Sequence, residues 1–156
     1  MSVSINHVAV FVRDLEAVRS FYETYFGAVA NDQYHNPRTG LRTYFLTFEG
    51  GCRLELMTRP DVQASGSADQ VGWAHTAFSL GSAEAVDLLA QRLSDDGVTI
   101  VSGPRTTGDG YYEAVVLDPE GPDLAHVWCF WGWRGCWLGV LVGVVCTNRG
   151  CFSLLG

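Results

Sequence analysis

The chain reads as an α+β protein made of two tandem βαβββ modules, and three observations carry that reading. An apolar run of strand character leads into a capped amphipathic segment and then three extended stretches. The same order begins again after a polar linker. Fixed shifts lay the caps and turns of one half on those of the other. With 156 residues, 47% hydrophobic and only 17% charged, the chain has material for a sizeable core and is too apolar for a disordered segment.

The elements follow in order. Residues 5–12 are rich in apolar and β-branched side chains, with Ile5, His7, Ala9 and Phe11 on one face and Asn6, Val8, Val10 and Val12 on the other. Asp14 is placed to cap a helix running to about Phe26, which sets Leu15, Val18, Tyr22, Tyr25 and Phe26 on one side; Gly27 stops it. Extended stretches are expected at 28–34, 41–48 and 52–58, with Gly50-Gly51 as a hairpin turn.

Residues 59–71, polar and small, read as a linker. Beyond it come a strand at 72–80, a helix capped by Ser82 and ended by Asp96-Gly97, and strands at 98–101, 111–117 and 124–130. The expected organisation is therefore a first module at 3–58, the linker, a second module at 72–130 and an atypical apolar tail at 131–156. A shift of 68 lays His7 on His75, Ala9 on Ala77 and Asp14 on Ser82; a shift of 70 lays Gly27 on Gly97, Gly51 on Gly121 and Leu54 on Leu124.

Charge narrows the function classes. The formal net charge is -7, and all ten basic residues are arginine. Nucleic acid loses its electrostatic attraction, so no nucleic-acid partner is expected. No basic or apolar leader marks the start, and the apolar stretch 137–146 is too short to cross a bilayer as a helix, so a cytoplasmic protein without a membrane role is expected. Four of the five cysteines fall in the last 28 residues, an odd and lopsided set that argues against a disulfide framework.

The chemistry is expected at His7, His75 and Glu55. The two histidines hold equivalent strand positions in the two modules, and Glu55 interrupts an otherwise apolar strand, where a carboxylate without a partner is costly. Two imidazoles and a carboxylate suit a divalent transition metal with open positions for water or substrate. Hydrogen-bonded core histidines are the plain alternative. Phe11, Phe45, Trp73, Tyr111 and Tyr112 are candidates for an aromatic lining, and Arg38, Arg42, Arg53 and Arg105 for an anion clamp, against ordinary packing and solvated surface. Asp109 reads as a turn residue, and Glu113 as a minor catalytic candidate.

Several motifs together resemble the vicinal oxygen chelate superfamily of glyoxalase, bleomycin-resistance and extradiol-dioxygenase-like proteins. They are Ile5-Asn6-His7-Val8-Ala9-Val10-Phe11-Val12 with Asp14-Leu15 and Phe21-Tyr22; Leu54-Glu55-Leu56; His75-Thr76-Ala77-Phe78; and Thr107-Gly108-Asp109-Gly110-Tyr111-Tyr112 leading to Asp118-Pro119-Glu120-Gly121. The resemblance covers about residues 3–130 and completes the fold expectation: a curved mixed sheet around a metal or ligand cleft. It assigns His7, Glu55 and His75 as metal ligands and places a fourth where Ala125 stands. His126 is adjacent, and a bulge or a one-residue change of register is needed to bring it to that face.

The function so implied is metal-dependent lyase or isomerase chemistry on a small carbonyl or thiol-adduct substrate. Glu55 is its catalytic carboxylate, and nickel, zinc, cobalt, iron or manganese its cofactor. Two alternatives stand beside it: a small-molecule binding or resistance-like protein without turnover, and a non-haem iron extradiol-type dioxygenase. A homodimer is expected. The tail, dense in tryptophan, cysteine and glycine, reads either as an altered coding end or as an arm for self-association.

Overall fold

A computed structural model describes residues 3–63 and 74–129, with the backbone alone for 121–129. The tail at 131–156 and Trp73 lie outside the described residues. The described residues fall into two units, 3–63 and 74–129.

In the first unit, β1 (Val8–Phe11) precedes α1 (Leu15–Phe26), followed by β2 (Val29–Ala30), β3 (Tyr34–His35), β4 (Arg42–Thr47) and β5 (Arg53–Thr58). The Asp14 side chain accepts from Ala17 N at 3.0 Å, satisfying a helix-start donor. Gly27 takes φ 64° at the other end, a left-handed turn that a side chain would resist. One face of α1, with Leu15, Val18, Phe21 and Tyr22, is buried. Tyr44, Leu46, Leu54 and Leu56 are the buried hydrophobic positions of β4 and β5. Contacts of α1 with both strands close the core between them. The Tyr44 hydroxyl donates to Glu16 at 2.8 Å and accepts from Arg19 at 3.0 Å; that hydrogen bond, with Glu23 and Glu16 nearby, raises the Arg19 pKa.

The second unit runs β6 (His75–Ser79), α2 (Ala83–Asp95), β7 (Ile100–Thr106), β8 (Tyr112–Asp118) and β9 (Gly121–Cys129). The Ser82 side chain caps α2 by accepting from Ala85 N at 3.1 Å. Val86 and Ala90 of α2 pack on Ala114 of β8, with Leu80, Ala83 and Tyr112 at the margin. Gly103 has its Cα so close to β8 that a Cβ would lie 2.5 Å from Glu113 O. The β7 ladder shifts register around it and resumes with Arg105 opposite Glu113.

Each unit pairs its first strand in parallel with its last. The order is β1-β5-β4-β2, with β3 also on β4, in one sheet and β6-β9-β8-β7 in the other. The expectation of a curved mixed sheet around a cleft is corrected here. The α+β tandem architecture forms, but as two open mixed sheets, neither closed nor strongly curled. The reason is topological: strands pair within their own repeat, and each path ends on edge strands too few in number to close.

Smaller differences have local causes. The strand expected at 28–34 is two short pieces, β2 and β3, both paired to β4. β1 begins at Val8 rather than residue 5. Cys52 is disulfide-bonded, which an odd cysteine count does not forbid. Among the described residues, no helix is long and apolar enough to cross a membrane.

Candidate metal centre

The parallel β1–β5 ladder sets Ala9 opposite Glu55, and the antiparallel β4–β5 ladder sets Phe45 opposite the same residue. Because Leu54 and Leu56 alternate into the α1 core, Arg53, Glu55 and Met57 take the other face of β5. His7, one residue before β1, reaches Glu55 there. Its Nε2 stands 3.4 Å from Glu55 Oε2, with the Glu55 side chain 16% exposed and that of His7 36%. The isolated carboxylate of the apolar strand therefore has an imidazole partner.

Around this pair the side chains interlock. The Phe45 ring meets the His7 ring edge-on, centroids 5.1 Å apart at 88°. The Arg53 guanidinium lies over Phe45, 4.9 Å from the ring centroid. Arg53 also donates to Asn6 Oδ1, and that oxygen is 3.0 Å from His7 Nδ1. Strand alternation placed Asn6 opposite His7. Both precede β1, so alternation does not govern them, and no sequence signal marked Asn6 as a partner.

In the second unit His75 opens β6 opposite Leu124, and Ala77 pairs with position 126. On the other side of β9, Val116 pairs with position 125 and Val115 with position 126. Ala114 belongs to the core with α2, so alternation along β8 puts Val116 and its partner position 125 on that helix side. Position 126 shares the opposite face with His75 and Glu113. Ladder partners thus make position 126, not 125, the counterpart of Glu55: Ala9 and Ala77 occupy equivalent places, as do Phe45 and Val115.

The shift of 70 that lays Leu54 on Leu124, and with it Glu55 on Ala125, fails by one residue. The β8–β9 ladder changes register between Leu117 and Asp118, so its turn holds one residue more than the β4–β5 turn.

Other candidates scatter. Arg105 forms an ion pair with Glu113 at 3.0 Å. The Tyr112 hydroxyl donates to Asp87 of α2 at 2.7 Å, on the helix side, which removes Tyr112 from the His75 face. Tyr111 closes a turn with Thr107, whose hydroxyl donates to Asp109. Arg38 and Arg42 are exposed. Phe11 is 46% exposed, with the Arg59 guanidinium 5.2 Å from its ring centroid.

The donor set fits a divalent cation in kind. An imidazole nitrogen and a carboxylate oxygen facing each other at 3.4 Å leave a place for an ion or a proton between two lone-pair donors. Among the described residues no group of three or more histidine, cysteine, aspartate or glutamate side chains is placed to hold a metal ion.

The profile of the Glyoxalase/Bleomycin resistance protein/Dioxygenase superfamily matches residues 4–125. Among solved structures, the glyoxylase/bleomycin resistance protein/dioxygenase domain from Frankia sp. EAN1pec is similar with a TM-score of 0.70 and 17% identity, over 83% of this chain and 98% of that one. The trypanothione-dependent glyoxalase I of Leishmania major matches with a TM-score of 0.67 and 20% identity, over 82% and 87%. The fosfomycin resistance protein FosX of Listeria monocytogenes, solved with Mn(II) and sulfate, matches with a TM-score of 0.62 and 18% identity, over 83% and 94%. These likenesses are likenesses of fold. No curated protein matches the chain.

Proposed function

The chain belongs to the glyoxalase/bleomycin resistance protein/dioxygenase superfamily, and from that premise we propose that it is a metal-dependent lyase or isomerase acting on a small carbonyl or thiol-adduct substrate. His7, Glu55, His75 and His126 are the proposed ligands of one divalent ion. The observation that carries the reading is the 3.4 Å approach of His7 Nε2 to Glu55 Oε2 on the face away from α1. The Mn(II) held by FosX is consistent with a divalent cofactor.

When bound, such an ion supplies Lewis acidity toward a carbonyl or enediolate oxygen. The chain's own residues supply the rest. Glu55 is the carboxylate of the proposed set, so the movement of a proton between adjacent carbons falls to it. Phe45 lies opposite Glu55 on the β4–β5 ladder and packs edge-on against His7, limiting the motion of that ring. Arg53, stacked on Phe45, offers a cationic edge to an anionic substituent of the substrate, whereas Arg59, over Phe11, is already ion-paired with Asp61 at 2.8 Å.

These stacks favour a second reading, in which the same face retains an anionic aromatic or organic ligand without turning it over. An extradiol-type dioxygenase ranks below both, because its carboxylate belongs on the last strand, where the register offers Ala125 and His126. We carry the homodimer as a proposal, read out by light scattering of the purified chain.

Turnover of hemithioacetals by the full chain, with nickel, zinc, cobalt or manganese added and then chelated, tests the function. The reading expects activity that follows the metal and is lost in Glu55→Gln. Full activity in chelator excludes it, and tight ligand binding without turnover selects the second reading.

A further inference from the structure

We propose that Asn6, held by Arg53, is a positioning residue that fixes the tautomer of His7, so that Nε2 presents its lone pair toward Glu55. The inference deepens the metal reading and rests on it for its consequence, but not for its geometry.

The argument is one of donors and acceptors. A guanidinium donates and cannot accept, so the Asn6 atom that Arg53 faces is the amide oxygen. That same oxygen lies 3.0 Å from His7 Nδ1. An amide oxygen only accepts, so Nδ1 carries the proton. A neutral ring has one proton, which leaves Nε2 as a bare lone pair directed at a carboxylate oxygen 3.4 Å away.

Two acceptors held face to face repel each other unless a cation lies between them. Asn6 and Arg53 hold the ring in the form that such a cation needs. Unrestrained neutral imidazole prefers the proton on Nε2, which is the form that cannot bind an ion through that atom.

Arg53 is itself anchored. Its guanidinium lies on the Phe45 ring, and the edge of Phe45 meets His7, so four side chains close a circuit in which each limits the next. This is the usual role of an outer partner of a metal-binding histidine, filled here by the preceding residue in the chain instead of a distant carbonyl or carboxylate.

The test is made on the full chain without metal, by nitrogen–proton correlation spectra of the histidine rings at mildly alkaline pH. Asn6 is exposed, so its substitution spares the core. In the native chain His7 is expected as the Nδ1–H tautomer. Asn6→Ala shifts it toward Nε2–H, and Asn6→Asp, which keeps an acceptor, restores it. Zinc and nickel affinity, read by competition with a coloured chelator, falls about 10-fold or more in Asn6→Ala and recovers in Asn6→Asp.

An Nε2–H or doubly protonated His7 in the native chain overturns the proposal, as does a tautomer indifferent to Asn6→Ala. A native chain that binds no metal while its ring still follows residue 6 supports the positioning role and overturns the metal reading alone.

Discussion

His7 and Glu55 face each other at 3.4 Å from opposite ends of the first module, brought together by the parallel β1–β5 ladder. The sheet side toward α1 is core, so the side carrying this pair is where a polar site can form.

Substitution of Glu55 by Gln keeps shape and removes charge. Zinc or nickel affinity, measured by calorimetry, is expected to fall by at least about tenfold with the far-ultraviolet spectrum unchanged. Unaltered affinity removes Glu55 from the ligand set.

Register in the second module is tested by a pair of swaps. Position 125 lies opposite the fully buried Val116 on the helix side. Ala125→Glu is therefore expected to lose about 2 kcal/mol or more of stability in denaturant unfolding, without gain in metal binding. His126→Ala is expected to lose metal affinity about tenfold or more, and His126→Glu to retain binding. Tighter binding in Ala125→Glu would falsify the register.

Metal removal should destabilise the chain. An ion bound only by the folded state adds about 2.7 kcal/mol at a free concentration 100 times its Kd, so chelation is expected to lower the thermal midpoint. An unchanged midpoint speaks against a native-state site.

The first module's core gives a control that leaves the site alone. Leu56 is fully buried between β5 and α1, and Leu56→Ala is expected to cost about 2–5 kcal/mol in urea unfolding. Tyr44→Phe, which loses the hydroxyl shared by Glu16 and Arg19, is expected to cost about 1 kcal/mol.

Much of the fold was legible because its signals are local. Asp14, Gly27 and Ser82 cap or stop helices through bonds within a few residues, and the repeat fixes the order of elements. Glu55 was legible as a carboxylate out of place in an apolar strand. The sheets' open form was not, since closure depends on pairing between strands far apart in sequence. Nor was the position of residue 126, which depends on one extra residue in the turn after Leu117. Asn6 escaped because strand alternation was extended past the point where β1 begins.

The most direct test of the account is metal-edge anomalous diffraction from crystals of the full chain grown with nickel. The account predicts one strong peak about 2.0–2.2 Å from both His7 Nε2 and a Glu55 carboxylate oxygen, with imidazoles of His75 and His126 completing the shell. A peak bound elsewhere, or His7 and Glu55 joined by a proton alone at saturating nickel, would contradict it.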